Sequence, residues 1–375
     1  MIKRDLSEII LKRLNSNKAI IIKGARQVGK TSLLKALFEN KDDVMWLNAD
    51  EIDVRSLFET VSSTKLKAII GNKKFLIIDE AQRIKDIGLK LKLIADEIPQ
   101  VQIIATGSSS FELSQNVNEP LTGRKLEYQL FPFSFKEMCK EHGLIEEKRM
   151  LSHRLVYGYY PDIVVNQGNE IELIKLLADS YLYKDILQFD RINKHDKIVK
   201  LLQALAFQVG SQVSFNELGQ ICALDSKTVE KYIIILEQAF IIFRLPSFSR
   251  NLRNELKSSR KIYFYDNGIR NAVIANFSDI TSRLDVGALF ENFIISERMK
   301  HNAYSAKAPH TYFWRTKTQQ EIDYIEEWNG HLTAFEIKWN DKAKAKEPKI
   351  FKEKYANSSF EVITPNNMED FLCSD

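Results

Sequence analysis

Four short apolar runs punctuate the first third of the chain: Ala19-Ile20-Ile21-Ile22, Val44-Met45-Trp46-Leu47, Phe75-Leu76-Ile77-Ile78 and Val101-Gln102-Ile103-Ile104. Helix-period stretches such as Ser32 to Phe38 lie between them. Continuous β-branched runs between helices predict buried parallel strands covered on both faces, an α/β domain over residues 1–144. From 145 to 205 the pattern turns helical, with Leu173, Leu176, Leu177 and Tyr181 on one predicted stripe, and reads as a helical lid or connector. Residues 206–262 read as two short helices followed by strand-like Phe240 to Leu245 and Lys261 to Tyr265. A helix from Val286 to His301 and three further strands make 263–375 a second α/β unit.

The 375 residues carry 44% hydrophobic and 28% charged side chains, the balance of packed globular domains rather than of a disordered chain. A net charge of +4 neither announces nor excludes a nucleic-acid partner. Cys139, Cys222 and Cys373 are far apart in sequence, so neither a disulfide framework nor a structural zinc is expected. With no apolar leader and no uninterrupted apolar span, a cytoplasmic protein without a membrane segment is expected. Lys342 to Lys349 reads as a solvated lysine-rich loop.

Gly24-Ala25-Arg26-Gln27-Val28-Gly29-Lys30-Thr31-Ser32 fits G-x-x-x-x-G-K-[ST] between a predicted strand and a predicted helix. In such a loop backbone N–H groups and the helix N-terminus cradle phosphates, Lys30 reaches the β/γ-phosphates and Thr31 offers its hydroxyl to Mg2+. ATP and Mg2+ are the expected ligands. Phe75-Leu76-Ile77-Ile78-Asp79-Glu80 then supplies Asp79 for the metal shell and Glu80 to orient and deprotonate the attacking water. The strand ending Thr106-Gly107-Ser108-Ser109-Ser110 would bring a γ-phosphate-sensing hydroxyl, Ser108, between them.

Ser214-Phe215-Asn216-Glu217 has a capping-box pattern, and a second helix from about Ser226 to Gln238 turns Val229, Ile233 and Leu236 inward. Two helices across a tight turn, then two strands, form a winged helix-turn-helix pattern in which Lys227, Thr228 and Lys231 face outward. Those side chains could contact DNA, or the unit could serve only to pack domains.

Asn329-Gly330 is a strong two-residue hairpin signal. Counting outward from it places Trp328 opposite His331 and Asp323 opposite Glu336, their Cβ atoms about 4.5–5.5 Å apart. Such carboxylates could share a divalent ion, Mg2+ or Mn2+, with Lys338 beside them. Without a cation they should repel and raise at least one pKa. The plainer alternative is a charged sheet face with a Glu321 to Lys338 cross-strand pair.

The chain resembles the AAA-type ATPases of bacteria and archaea that carry a C-terminal domain of unknown function. The resemblance rests on the P-loop, Ile77-Ile78-Asp79-Glu80-Ala81-Gln82, Leu121-Thr122-Gly123-Arg124, Phe131-Pro132-Phe133-Ser134-Phe135, Tyr157-Gly158-Tyr159-Tyr160-Pro161 and Lys261-Ile262-Tyr263-Phe264-Tyr265-Asp266. It implies ATP binding and hydrolysis, a winged helix, a nuclease-like C-terminal fold, and a phosphate-facing Arg124 acting in cis or from a neighbour in a homo-oligomer. Asp323 followed by Glu336-Ile337-Lys338 is similar to the PD-(D/E)XK nucleases, although Ile322 stands where that motif has proline. That resemblance makes Glu291 a further metal ligand and Asp323, Glu336 and Lys338 catalytic. The expectation is an ATPase whose nucleotide state controls a C-terminal half acting on DNA or another nucleic acid. Its rivals are a regulatory ATPase switch with a non-cleaving, partner-binding C-terminal half, and a transcriptional regulator acting through the helix-turn-helix.

Overall fold

The computed structural model describes residues 2–14, 16–108, 121–188, 195–249, 260–342 and 345–374. The chain divides into two compact units: Met1–Pro132 with Gln238–Phe240, and Phe133–Glu237 with Ile241–Asp375.

The first unit is built on five parallel strands, β1 (Ala19–Lys23), β2 (Val44–Asn48), β3 (Phe75–Asp79), β4 (Gln102–Gly107) and β5 (Lys125–Gln129), in the order β2-β3-β4-β1-β5. The apolar runs become strands because both faces of the sheet are covered, and Ile20, Ile21 and Ile22 are fully buried. Ile21, Ile78 and Ile103 pack with Leu91 and Ile94 of the helix Ile87–Glu97. Because β4 separates β1 from β3, the carboxyl ends of these three strands lie side by side, where an open parallel sheet places its ligand.

In the second unit the helices expected as a lid or connector pack against segments well beyond them in the chain. Glu147 and Arg154 form a buried ion pair at 3.0 Å, joined by the Tyr159 hydroxyl and by His142 at 2.7 Å. Asn271 donates to the carbonyls of Leu155 and Val156. Contacts also run across the expected boundary at 262/263, where Arg270 donates to the Ala206 carbonyl, and helix His195–Phe207 continues through the one at 205/206. Of the predicted stripe on helix Glu170–Gln188, Leu177 is buried together with Ile174 and Ala178, Leu176 is 60% exposed, and the Tyr181 side chain lies outside the described residues. Both sets satisfy helical spacing, so periodicity alone could not choose between them. Cys139 and Cys373, distant in sequence, come close to each other as free thiols.

A three-stranded antiparallel sheet, β6 (Gln212–Val213), β7 (Ile242–Pro246) and β8 (Arg260–Phe264), has the order β6-β8-β7. The helices Phe215–Cys222 and Ser226–Gln238 fall between β6 and β7, with Val229, Ile233 and Leu236 fully buried. Ser214 caps the first helix through the Glu217 amide. Lys227 and Lys231 are exposed as expected, whereas the Thr228 hydroxyl is tied to Asp225 at 2.6 Å.

The last sheet, β9 (His310–Arg315), β10 (Glu321–Trp328), β11 (His331–Ile337) and β12 (Ser358–Ile363), runs β12-β11-β10-β9. The hairpin register is the expected one, from Trp328 opposite His331 to Tyr324 opposite Phe335, with Asn329 and Gly330 at φ 51° and 77°. Between Ile322 and Ile325 the pairing of β10 with β9 shifts by a residue. This bulge lets both isoleucines enter one apolar cluster with Trp314, Ala334 and Phe351 and leaves Asp323 buried at its margin.

Removing one member of a buried pair leaves the other charge unpaired. Arg154→Met should therefore cost about 3–5 kcal/mol of stability in urea denaturation. A loss no larger than that of an exposed substitution would show that the Glu147 cluster does not hold the second unit together.

Candidate nucleotide site and carboxylate cluster

The loop after β1 closes on itself. Gly29 has φ 93°, open to glycine at little cost, and is the N-cap of helix Lys30–Phe38. Gly24 is needed for a different reason: a Cβ there would lie 2.3 Å from the Leu130 carbonyl oxygen. Lys30 is buried and donates to the carbonyls of Gly24 and Ala25 at 3.0 and 2.9 Å. Its ammonium is thereby held inside the loop that phosphates would fill.

Thr31 donates to one Asp79 oxygen at 2.7 Å, and Thr106 donates to the other. Thr106 also accepts the Glu80 amide at 3.0 Å. Glu80 sits at φ 52°, a left-handed backbone costly for a residue with a Cβ, and its carboxylate accepts from Gln82 Nε2 at 2.5 Å. Gln82 also donates to Ser108 at 3.0 Å. The structure thus brings together Lys30, Thr31, Asp79, Glu80 and Ser108; Ser109 and Ser110 lie outside the described residues. A hydroxyl beside a carboxylate is the hard-oxygen pair that Mg2+ takes, completing its shell with water and phosphate, so these residues fit the ion.

Arg124 is not brought to this site. It precedes β5 at the edge where β1 begins, its carbonyl accepting the Ala19 amide, and its guanidinium pairs with Asp96 at 2.8 Å. The length of β1, about 16 Å at the usual rise, separates that edge from the P-loop, so of the two expected contacts, in cis or at a neighbour, the one in cis is not made here.

Two further residues contribute. Arg4, buried, donates to the carbonyls of Val28 at 2.9 Å and Phe131 at 2.6 Å, bracing the P-loop from the first helix's N-cap. Thr106, the first hydroxyl of the run that ends β4, meets Asp79. A threonine at the end of the strand between β1 and β3 was the available clue.

At the C-terminal hairpin, Asp323, Glu336 and Lys338 do converge, and Glu291 reaches them from helix Val286–Tyr304. The expected metal centre is nevertheless not assembled. Lys261, on β8 and 1% exposed, lies among the carboxylates: 2.6 Å from Glu321, 3.1 Å from Glu291 and 3.7 Å from Asp323. Lys338 lies 2.6 Å from Glu336 and 3.8 Å from Asp323. Asp323 further accepts the Ile337 amide at 2.9 Å, and Glu291 accepts the Tyr263 hydroxyl at 2.6 Å. Among the described residues no group of three or more acidic, His or Cys side chains is disposed to hold a metal ion. Glu321 pairs with Lys261 and Arg315 rather than with Lys338.

Burial raises the Glu291 carboxyl to about 7, with Asp323 adding to the rise and Lys261 opposing it. Burial and Asp323 likewise raise Glu336. Burial works against the charge on Lys261, but Glu291, Asp323 and Glu321 outweigh it and hold the ammonium above its ordinary value.

Residues 16–139 match the family model for an AAA domain, residues 148–280 a domain of unknown function, DUF8612, and residues 286–371 another, DUF4143. The chain carries an AAA-type P-loop ATPase domain. An uncharacterized protein of Methanocaldococcus jannaschii is 25% identical over 95% of this chain and 84% of its own length. One of Mycobacterium tuberculosis is 24% identical over 90% and 74%. The Walker-type ATPase of Pyrococcus abyssi shares the fold at a TM-score of 0.51, with 16% identity over 73% of this chain and 96% of that one. Among the described residues no helix is long and apolar enough to cross a membrane.

The raised Glu291 value means that the folded state holds this proton more tightly than the unfolded chain. Its contribution is present below the ordinary carboxyl range and is lost as pH rises through about 7. Denaturation between pH 5 and 8 should show the wild type losing about 2 kcal/mol relative to Glu291→Gln. Parallel curves would mean that Glu291 is ionised throughout.

Proposed function

We propose that the chain is an ATP-hydrolysing switch whose nucleotide state governs a C-terminal half that engages a partner without cutting it. The observation that carries the ATPase reading is the joint engagement of Asp79 by Thr31 and Thr106, with Glu80 on the next residue. ATP supplies the phosphoanhydride and, with Mg2+, the charge to be balanced. Thr31 and Asp79 would hold the ion, and Lys30, now on the Gly24 and Ala25 carbonyls, would turn to phosphate oxygens. Glu80 orients and deprotonates the water, its carboxylate steadied by Gln82. Arg124 has no part in this within one chain.

Nucleic acid is the favoured partner. The support is the order β6, two helices, β7, β8, which is winged-helix-like, together with exposed Lys227 and Lys231 on the second helix. A second reading, metal-dependent cleavage by a PD-(D/E)XK-like site, is favoured by the row Asp323, Glu336, Lys338, and Lys261 counts against it.

Lys30→Ala should weaken ATP binding roughly tenfold to a hundredfold by losing charge-assisted hydrogen bonds. Glu80→Gln should keep binding and lose about 10²- to 10⁴-fold in turnover. Equilibrium binding and phosphate release measure the two. Equal turnover in the wild type and Glu80→Gln would remove Glu80 from its role. Divalent-ion-dependent DNA cleavage by the wild type, absent in Asp323→Asn, would install the second reading.

A further inference from the structure

The resemblance of the hairpin to metal-dependent nucleases implies a divalent ion among Glu291, Asp323 and Glu336. The same place is filled by the chain itself. Lys261 is fixed by its strand: β8 pairs with β6 on one side and β7 on the other, so its backbone cannot shift without breaking both ladders. Its side chain ends 2.6–3.7 Å from oxygens of three carboxylates, with the Phe313 ring 5.6 Å away. An ammonium bonds oxygen at about 2.7–2.9 Å and a divalent metal at about 2.0–2.6 Å, so both seek the same point between the carboxylates. A metal drawn there would also sit in contact with a positive charge that is buried and has no route to water.

Further side chains and one backbone amide hold the same carboxylates. Tyr263 takes Glu291, Arg315 takes Glu321, and Lys338 and the Ile337 amide take Asp323, while Glu336 is held by Lys338. Four carboxylates therefore face three protein cations and two neutral donors. Repulsion between Asp323 and Glu336, which a metal would have relieved, is opposed by Lys338, which touches both.

We infer that Lys261 is the resident cation of this cluster, standing where a nuclease of this shape would carry a metal ion, and that its removal opens a divalent-ion site. The inference rests on the second unit alone and stands whether or not the P-loop hydrolyses ATP.

The test is Mn2+ binding to the full chain without nucleotide, followed by electron paramagnetic resonance, in an Asp79→Asn background that removes the P-loop metal position. The parent should show no Mn2+ site that depends on Glu291 or Asp323, and Mn2+ should not raise its melting temperature. Adding Lys261→Met should create one site, at least tenfold tighter than any in the parent, lost again on adding Asp323→Asn. Lys261→Met should melt lower than the parent and recover with Mn2+. Should that variant fail to fold, Lys261→Met with Glu321→Gln removes one charge of each sign and should gain the same site. A parent that binds Mn2+ through Asp323 as tightly as the Lys261→Met protein overturns the inference, and so does a folded Lys261→Met protein that gains no site.

Discussion

Thr106 donates its hydroxyl to Asp79 and accepts the Glu80 amide, and it can do both because β4 runs between β1 and β3. That strand order is the constraint on which the nucleotide site depends. It sets the loop that carries Lys30, the acid that meets Thr31 and the residue that would address water at the same edge of one sheet. The burial of Ile20, Ile21, Ile22, Ile77 and Ile78 fixes the strands, and Arg4 and Leu130 brace the loop from outside the motif. Glu80 keeps a left-handed backbone in the midst of this, held by Thr106 at its amide and Gln82 at its carboxylate. Local strain of that kind persists only where the surroundings over-determine it.

The second unit solves an electrostatic problem in another way. A β-bulge turns Asp323 toward an apolar margin where an unpaired carboxylate would be costly, and the helix Val286–Tyr304 adds Glu291. Desolvation of charge at such a place demands partners. They come from β8, β9 and β11, so the cluster links the small antiparallel sheet to the large one through Lys261. An arrangement of acids that resembles a catalytic centre is thus also the polar tie within a unit, with Lys261, Lys338 and Arg315 balancing most of its charge.

Much of this was legible in the residues. The apolar runs gave the parallel strands, the glycine-lysine-threonine loop gave the nucleotide site, and Asn329-Gly330 gave the hairpin register to the residue. What stayed hidden is tertiary. No local pattern says that Arg4 reaches Val28, or that Thr106 rather than Ser108 meets Asp79. Arg124 follows a glycine turn that motif logic puts near phosphate, whereas strand direction puts it at the opposite edge. Lys261 reads as one polar residue in a strand, and its meaning appears only once its side chain reaches Glu321 and Asp323 on β10. Leu177 is buried as its spacing predicts, whereas Leu176 is exposed and Ile174 and Ala178 take its place, because both sets fit the helical period and periodicity does not rank them.

The central claim is that nucleotide occupancy at the P-loop governs the C-terminal half. Amide hydrogen exchange on the full-length Glu80→Gln protein, with and without Mg2+ and ATP, tests it most directly, because trapped nucleotide gives a single state and exchange reports local opening across the chain. The account predicts altered protection both in the strands of the first sheet and in segments of the second unit, among them residues 214–238. Changes confined to residues 19–129 would contradict it.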